Sequence, residues 1–393
     1  MGTSTQGGAL MADTMLARAK GLVPLISAQA AAAEEAGQLT DVVVEALHDS
    51  GLYRLWVPAV LGGAELDPAS AAEIVEQISY ADPSTSWVYF AGAILAGTSA
   101  AYYGDEAIEV MYSGERVPIL AGHGARAGVA VPSDGGFVCS GSYSFGSGIK
   151  HAQWTHNQAI VEGTGEARIY TTRVDEVTLD WDSWDGVLGL RATGSIDYAI
   201  DGVFVPEAFT HIAAVDTPAR GGPLYRLGIP GFISCCHGAW AIGLGRRMLD
   251  ELTTLLVAKA GRVGTQAEST AFLEQYERAE ARLRSARALF YETWREIGDT
   301  LSRDEPLTEQ QLTLYRLALT NATWSIHEVA MFVHTAAGTA AMRPGVLQRS
   351  FRDMETGVQH ITSGPAVRHN VGRVLAGLGT GKRWLFLDLV DAV

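Results

Sequence analysis

Residues Ser140–Trp154 read SGSYSFGSGIKHAQW, and the organisation of the chain unfolds from this stretch. Phe137 to Phe145 alternates apolar and polar side chains, the period-2 pattern of a half-buried strand. The alternation runs into Gly146-Ser147-Gly148, then His151 and Trp154. A strand ending in small residues lets a flat molecule approach its backbone. Gly146 and Gly148 remove bulk, Ser147 adds a hydroxyl, and Trp154 adds a stacking face. The same glycines and serine also make an ordinary hairpin turn, so the segment alone leaves both readings open.

The text around it divides into three zones. From about Val117 to Phe209, short β-prone runs alternate with Gly, Asp and Ser turns, which predicts a domain of several short strands. Residues 10–115 are Ala-rich and predict helices: Thr14–Ala36, a second capped near Thr40 or Asp41 and ending near Ser50-Gly51, a third over Pro68–Ser79, and a fourth opened by Asp82-Pro-Ser-Thr-Ser86. The fourth carries Trp87, Phe90 and Leu95. After Gly231 four long helical stretches follow, Ile233–Lys259, Ala271–Ser302, Thr308–Ala337 and Leu347–Leu378, the last with a break at Pro365. In series they predict an antiparallel bundle. The expected class is α+β, mainly α. It comprises a helical domain over 1–115, a β-barrel or sandwich over 116–225 and a four-helix bundle over 226–393.

Composition narrows the function. The chain has 393 residues and a formal net charge of −15. It shows no basic run or stripe, so nucleic acid is not an expected partner. Its three cysteines, Cys139, Cys235 and Cys236, have no CxxC spacing and signal neither a disulfide frame nor a zinc site. No metal is expected. The opening residues lack a basic segment followed by an apolar run, and Gln6 stands where a myristoylation signal needs Ser or Thr. No apolar run is expected to span a membrane, and a cytoplasmic location is expected. Gly377-Leu-Gly379-Thr-Gly381-Lys382 is no phosphate loop, because Ala376 and Arg383 occupy required positions. No GxGxxG, GxSxG or HExxH is present.

Specific segments carry a resemblance. Gly51-Leu-Tyr-Arg-Leu-Trp-Val-Pro58 with Leu61-Gly-Gly63, Gly189-Leu-Arg-Ala-Thr-Gly-Ser195 with Gly202-Val-Phe-Val-Pro206, and Arg349…Arg352-Asp353 occur in the order found in the acyl-CoA dehydrogenase superfamily. The chain resembles that superfamily over about residues 40–378. Within it, Asp82–Trp87, Ser144–Trp154 and Arg352-Asp353…Gln359-His360 resemble the two-component flavin-dependent monooxygenases, such as the oxygenase of para-hydroxyphenylacetate hydroxylase and dibenzothiophene monooxygenase. Ser144 and Gly146 depart from the fullest form of that pattern. Thioester dehydrogenases need a carboxylate base, which in most of them follows the final Arg-Asp by eight residues. Ile361 stands there in this chain, and Ile229–Ile242 holds no Asp or Glu at the other known location.

The resemblance implies reduced FMN or FAD, delivered by a separate flavin reductase, and O2. It implies a flavin C4a-hydroperoxide that transfers oxygen to an aromatic or apolar small molecule, and a homotetramer. It places Ser147 near the flavin N5, with Gly148, Trp87 and Trp154 along the ring. Arg262 falls on flavin phosphate from a neighbouring subunit, and His123 near the reactive flavin carbon. His360 falls on the substrate side as acid or base. Arg352 and Asp353 are expected to tie helix to bundle as an ion pair. Each site residue has a plainer alternative: a turn hydroxyl for Ser147, core filling for both tryptophans, a hydrogen-bonded interior ring for His360, a solvated charge for Arg262. Two other functions stay open at this point, an FAD-dependent acyl-CoA dehydrogenase and a non-catalytic flavin-binding or partner subunit.

Overall fold

The Ala-rich opening forms helices because Ala loses no side-chain entropy there. In the computed structural model they are α1 (Gly2–Ala36), α2 (Asp41–Asp49), α3 (Pro68–Ala81), α4 (Pro83–Tyr102) and α5 (Asp105–Tyr112). Seven strands follow: β1 (Leu120–Ser133), β2 (Gly136–Gly146), β3 (Trp154–Val161), β4 (Ala167–Tyr170), β5 (Thr178–Asp180), β6 (Ile196–Pro206) and β7 (Thr210–Ile212). The C-terminal part holds α6 (Gly228–Lys259), α7 (Thr270–Ser302), α8 (Glu309–Ala337), α9 (Val346–Gly357), α10 (Pro365–Leu375) and a hairpin, β8 (Lys382–Leu385) with β9 (Asp388–Asp391). The structure describes residues 2–214, 217–260 and 268–392, without the side chains of residues 2–7, 9 and 123–125.

The chain forms two compact units. The first contains residues 1–67, 87–187 and 191–229, and the second contains residues 68–86, 188–190 and 230–393. In the first, hydrogen bonds join seven strands into one mixed sheet in the order β5-β6-β2-β1-β3-β4-β7. The only parallel pair among the described strands is β1 with β3. The expected β-domain is present, its described strands joined in one ladder from β5 to β7. Alternation along β2 sets its register on β6, from Phe137 opposite Val205 to Tyr143 opposite Tyr198. Polar side chains on the sheet find partners: Tyr198 Oη donates to Asn157 Oδ1 at 2.6 Å, and Tyr143 Oη lies 2.7 Å from Tyr170 Oη.

In the second unit α3 packs on α6 at a glycine. A Cβ on Gly243 would lie 2.2 Å from the Glu76 carbonyl oxygen, so only glycine permits this approach. Ser79 Oγ donates to the Trp240 carbonyl at 2.6 Å and Trp240 Nε1 to the Pro83 carbonyl at 3.0 Å. By length and composition Pro223–Lys259 would suffice to cross a membrane, contrary to the sequence expectation that no run would. Its apolar window is 78% buried inside the protein, as in a core helix.

The fourth expected bundle helix divides into α9 and α10. Pro365 occupies the first turn of α10, where its missing N–H costs nothing, and His360 lies in the break. Residues 376–381 lead from a helix into a strand, the reverse of a phosphate loop. The hairpin that follows was not expected from the sequence. It sets Trp384 and Leu387 on Val367 and Val371 of α10.

Candidate active site

The Gly-Ser-Gly segment is an elbow in the first unit. Phe145 at φ +64° and Gly148 at φ +78° turn the chain out of β2. Gly148 cannot be replaced without strain, because an added Cβ would also lie 2.8 Å from Val88 Cγ1 on α4. The elbow is tied to the segment entering β6: Gly148 N–H donates to the Thr193 carbonyl at 2.9 Å. Three hydroxyls follow one another there. Ser147 Oγ is 2.7 Å from Ser195 Oγ, which is 2.6 Å from Thr193 Oγ1. Thr193 and Ser195 are buried and Ser147 is half-buried. Hydroxyls rotate, so the direction of this chain can reverse. Ser147 can then offer a hydrogen or a lone pair to a group placed beside it. A carboxylate holds the turn nearby, where Asp197 Oδ1 accepts the Phe145 N–H at 3.2 Å.

Two other predicted residues lie in the same unit. Trp154 is buried, stacked on Phe209 with centroids 5.8 Å apart and approached by the Arg173 guanidinium at 5.6 Å. Trp87 is buried against Phe90 at 5.2 Å. Both rings thus have packing partners within this unit. Trp87 adjoins Val88, the residue that backs the elbow. The side chain of His123 and all of Arg262 lie outside the described residues.

In the second unit His360 caps the turn Ile361–Ser363. Its Nδ1 lies 3.4 Å from the Thr362 backbone N–H and 2.7 Å from Thr362 Oγ1. A second histidine, His237 of α6, places its own Nδ1 3.2 Å from the same hydroxyl. The two rings meet edge to face at 5.3 Å. His237 is fully buried; desolvation, and then the neighbouring His360, hold its pKa well below the ordinary histidine value against the opposing Gly357 carbonyl. His360 is half-buried.

Among the described residues the buried carboxylates are Glu76, Asp82 and Asp353; each accepts at least one hydrogen bond, while Asp82 Oδ1 and Asp353 Oδ2 accept none. Glu76 accepts from Arg287 Nε at 2.9 Å and from Tyr291 Oη at 2.5 Å. Asp82 caps α4, its Oδ2 accepting from Thr85 N–H and Oγ1–H at 2.8 Å, with Arg349 Nε 3.4 Å from Oδ1. Asp353 Oδ1 accepts the Leu190 N–H at 2.6 Å, and Arg352 Nη1 donates to the Leu188 carbonyl at 3.1 Å. The Arg352-Asp353 pair therefore ties its helix to the backbone of 188–190, where an ion pair within the bundle was expected. Gly189 sits so close that a Cβ would fall 2.0 Å from the Arg352 carbonyl oxygen. Desolvation first, and then Asp82, push the Asp353 pKa up to about 7, against the Leu190 N–H and the nearby Arg349 and Arg352.

Sequence reasoning did not single out Thr193, Ser195, His237 or Thr362. Ser195 lies within a quoted signature, but its pairing with Ser147 spans 48 residues. His237 and Thr362 are 125 residues apart. Only the short His360-Ile-Thr362 spacing was a local signal.

Comparison with known proteins bears on the family and the fold. The family profile described as the acyl-CoA dehydrogenase N-terminal domain matches residues 23–113, and that described as the acyl-CoA dehydrogenase C-terminal domain matches 235–365. An indole-3-acetate monooxygenase from Pseudomonas putida is 29% identical over 342 residues, covering 85% of this chain and 86% of that protein. The oxygenase subunit HsaA of a flavin-dependent monooxygenase from Mycobacterium tuberculosis is 26% identical over 388 residues, covering 90% and 93%. The crystal structure of the HsaA monooxygenase from M. tuberculosis superposes with a TM-score of 0.87 at 23% identity, over 96% of this chain and 99% of that one. XiaF from Streptomyces, solved with FADH2 and glycerol, gives 0.82 at 24% identity, over 95% and 98%. The chain is an acyl-CoA dehydrogenase-fold protein related to the oxygenase components of two-component flavin-dependent monooxygenases.

Proposed function

We propose that this protein is the oxygenase component of a two-component flavin-dependent monooxygenase. It takes reduced FMN or FAD from a separate flavin reductase, uses O2, and places one oxygen atom on an aromatic or other apolar small molecule. The observation that carries this reading is the substitution of chemistry at the break between α9 and α10. An imidazole, His360, caps the turn, and Ile361 stands where a thioester dehydrogenase would hold its base. Each buried carboxylate among the described residues already accepts at least one hydrogen bond, although Asp353 Oδ2 and Asp82 Oδ1 accept none.

The elbow fits a flavin. A reduced isoalloxazine carries a hydrogen on N5 and an oxidised one carries a lone pair there. The reversible Ser147–Ser195–Thr193 hydroxyl chain suits both. Ser147 and the Gly148 backbone would hold the ring, and Arg262 is proposed for its phosphate. Bound reduced flavin supplies the electrons that activate O2. His360 is proposed to meet the substrate at its Nε2, where an imidazole can exchange a hydrogen bond or a proton. His123 is proposed to assist at the flavin's reactive face, and Trp87 and Trp154 to wall the slot. A cytoplasmic homotetramer is proposed as the working form.

The test mixes purified protein with chemically reduced FMN or FAD, ¹⁸O2 and a panel of indole, indole-3-acetate and simple phenols. One labelled oxygen in the product is expected. Reduction of added FAD by an acyl-CoA, with no labelled product from the panel, would overturn the reading in favour of dehydrogenation.

A further inference from the structure

We propose that Thr362 and His237 are positioning residues that fix His360 as the neutral tautomer with its hydrogen on Nε2. The inference rests on the reading of His360 as the substrate-side group. Thr362 Oγ1 stands between two imidazole nitrogens, 2.7 Å from His360 Nδ1 and 3.2 Å from His237 Nδ1. A hydroxyl has one hydrogen, so it cannot donate to both. At most one ring can therefore present a bare Nδ1 to it, and the other must present an Nδ1–H, which a lone pair of the oxygen accepts. The Thr362 backbone breaks the tie, because its N–H points at His360 Nδ1 from 3.4 Å. His360 Nδ1 is the acceptor for both the amide and the hydroxyl hydrogen. A neutral ring with a bare Nδ1 carries its hydrogen on Nε2. His237 completes the arrangement by donating its Nδ1–H to Oγ1. The reverse order would set an Nδ1–H of His360 against the Thr362 amide N–H. Burial keeps His237 neutral, with a single hydrogen to place.

The tautomer has a chemical consequence. A neutral His360 with Nε2–H donates a hydrogen bond and does not remove a proton from a neutral hydroxyl. It selects a substrate that presents an acceptor oxygen at that point, such as a phenolate or a carboxylate.

Ring ¹⁵N spectra of histidine-labelled full-length protein at neutral pH test this, with His360→Gln and His237→Gln used for assignment. A bare Nδ1 and a protonated Nε2 are expected for His360 in the wild type and in Thr362→Ser. In Thr362→Val the backbone N–H is the one of the two donors that remains, so the bare-Nδ1 form should lose population without vanishing, and kcat on the oxygenated panel compound should fall severalfold with KM within about twofold. A protonated Nδ1 in the wild type, or an unchanged tautomer in Thr362→Val, would overturn the inference. If Thr362→Val does not fold, the wild-type spectrum still decides the tautomer, and His237→Phe decides whether the second ring sets it. His360→Ala separates the two claims. Full oxygenation by that variant would remove His360 from the reaction while leaving the tautomer measurement intact.

Discussion

The elbow and the histidine cap solve different problems with different chemistry. At the elbow three hydroxyls and backbone amides are the groups on offer, and none of them titrates between pH 4 and 9. At the cap two imidazoles share one hydroxyl, in a unit that also buries three carboxylates. Recognition of a redox ring needs hydrogen bonds that survive a change in its protonation, which rotating hydroxyls provide. Proton handling needs a group whose state is fixed by its surroundings. The difference argues that flavin affinity should vary little with pH, whereas oxygen transfer should follow the cap.

The sharpest way to break this contrast is His360→Ala. Oxygen transfer should fall about 100-fold or more, in the range of a lost active-site hydrogen-bond donor, with the flavin dissociation constant unchanged. Single-turnover product yield and equilibrium titration of reduced flavin measure the two quantities. Equal losses in both would erase the division of labour. Gly148→Ala attacks the other side: an alanine at φ +78°, pressed on Val88, should cost about 1–2 kcal/mol in urea unfolding. Ser147→Ala should be milder, weakening reduced-flavin binding about fivefold to tenfold, the scale of one hydrogen bond. A pH-independent loss is expected; a loss confined to one side of neutrality would show that the elbow titrates after all.

A further effect, read across pH, lies with Asp353. Its folded pKa, about 7, stands above the unfolded value, so the folded state binds more protons between about pH 4 and 7. Its contribution to stability is full below that window and is lost as pH rises through it. Asn at this position can still accept from Leu190 N–H but cannot titrate. The Asp353→Asn variant should therefore lose less stability than the wild type between pH 5 and 7.5, read as urea midpoints. Buried His237, with a depressed pKa, acts in the opposite direction in both proteins and cancels in the comparison.

Local signals were legible in the sequence, and distant ones were not. Alternation from Phe137 to Phe145 placed β2, and Asp82 announced α4 because a carboxylate at that position satisfies open helix N–H groups. Pro365 marked the break that exposes the cap. The three helix–strand–helix zones followed from composition. The hairpin of β8 and β9 was missed because its short strands depend on a core shared with α10. The partners of Ser147 and His360 were missed for a related reason. Thr193, Ser195 and His237 are brought in by register and helix packing, which no window of sequence contains.

The second unit is gathered from three separate stretches of chain, 68–86, 188–190 and 230–393. Its piece at 188–190 is held through Leu190 N–H by a carboxylate that leaves the ribosome more than 160 residues later. No single cut can therefore release this half of the protein whole, and a fragment beginning at residue 230 would emerge without α3 and with the grip of Asp353 empty. Anyone trimming, fusing or grafting this scaffold must carry all three stretches together.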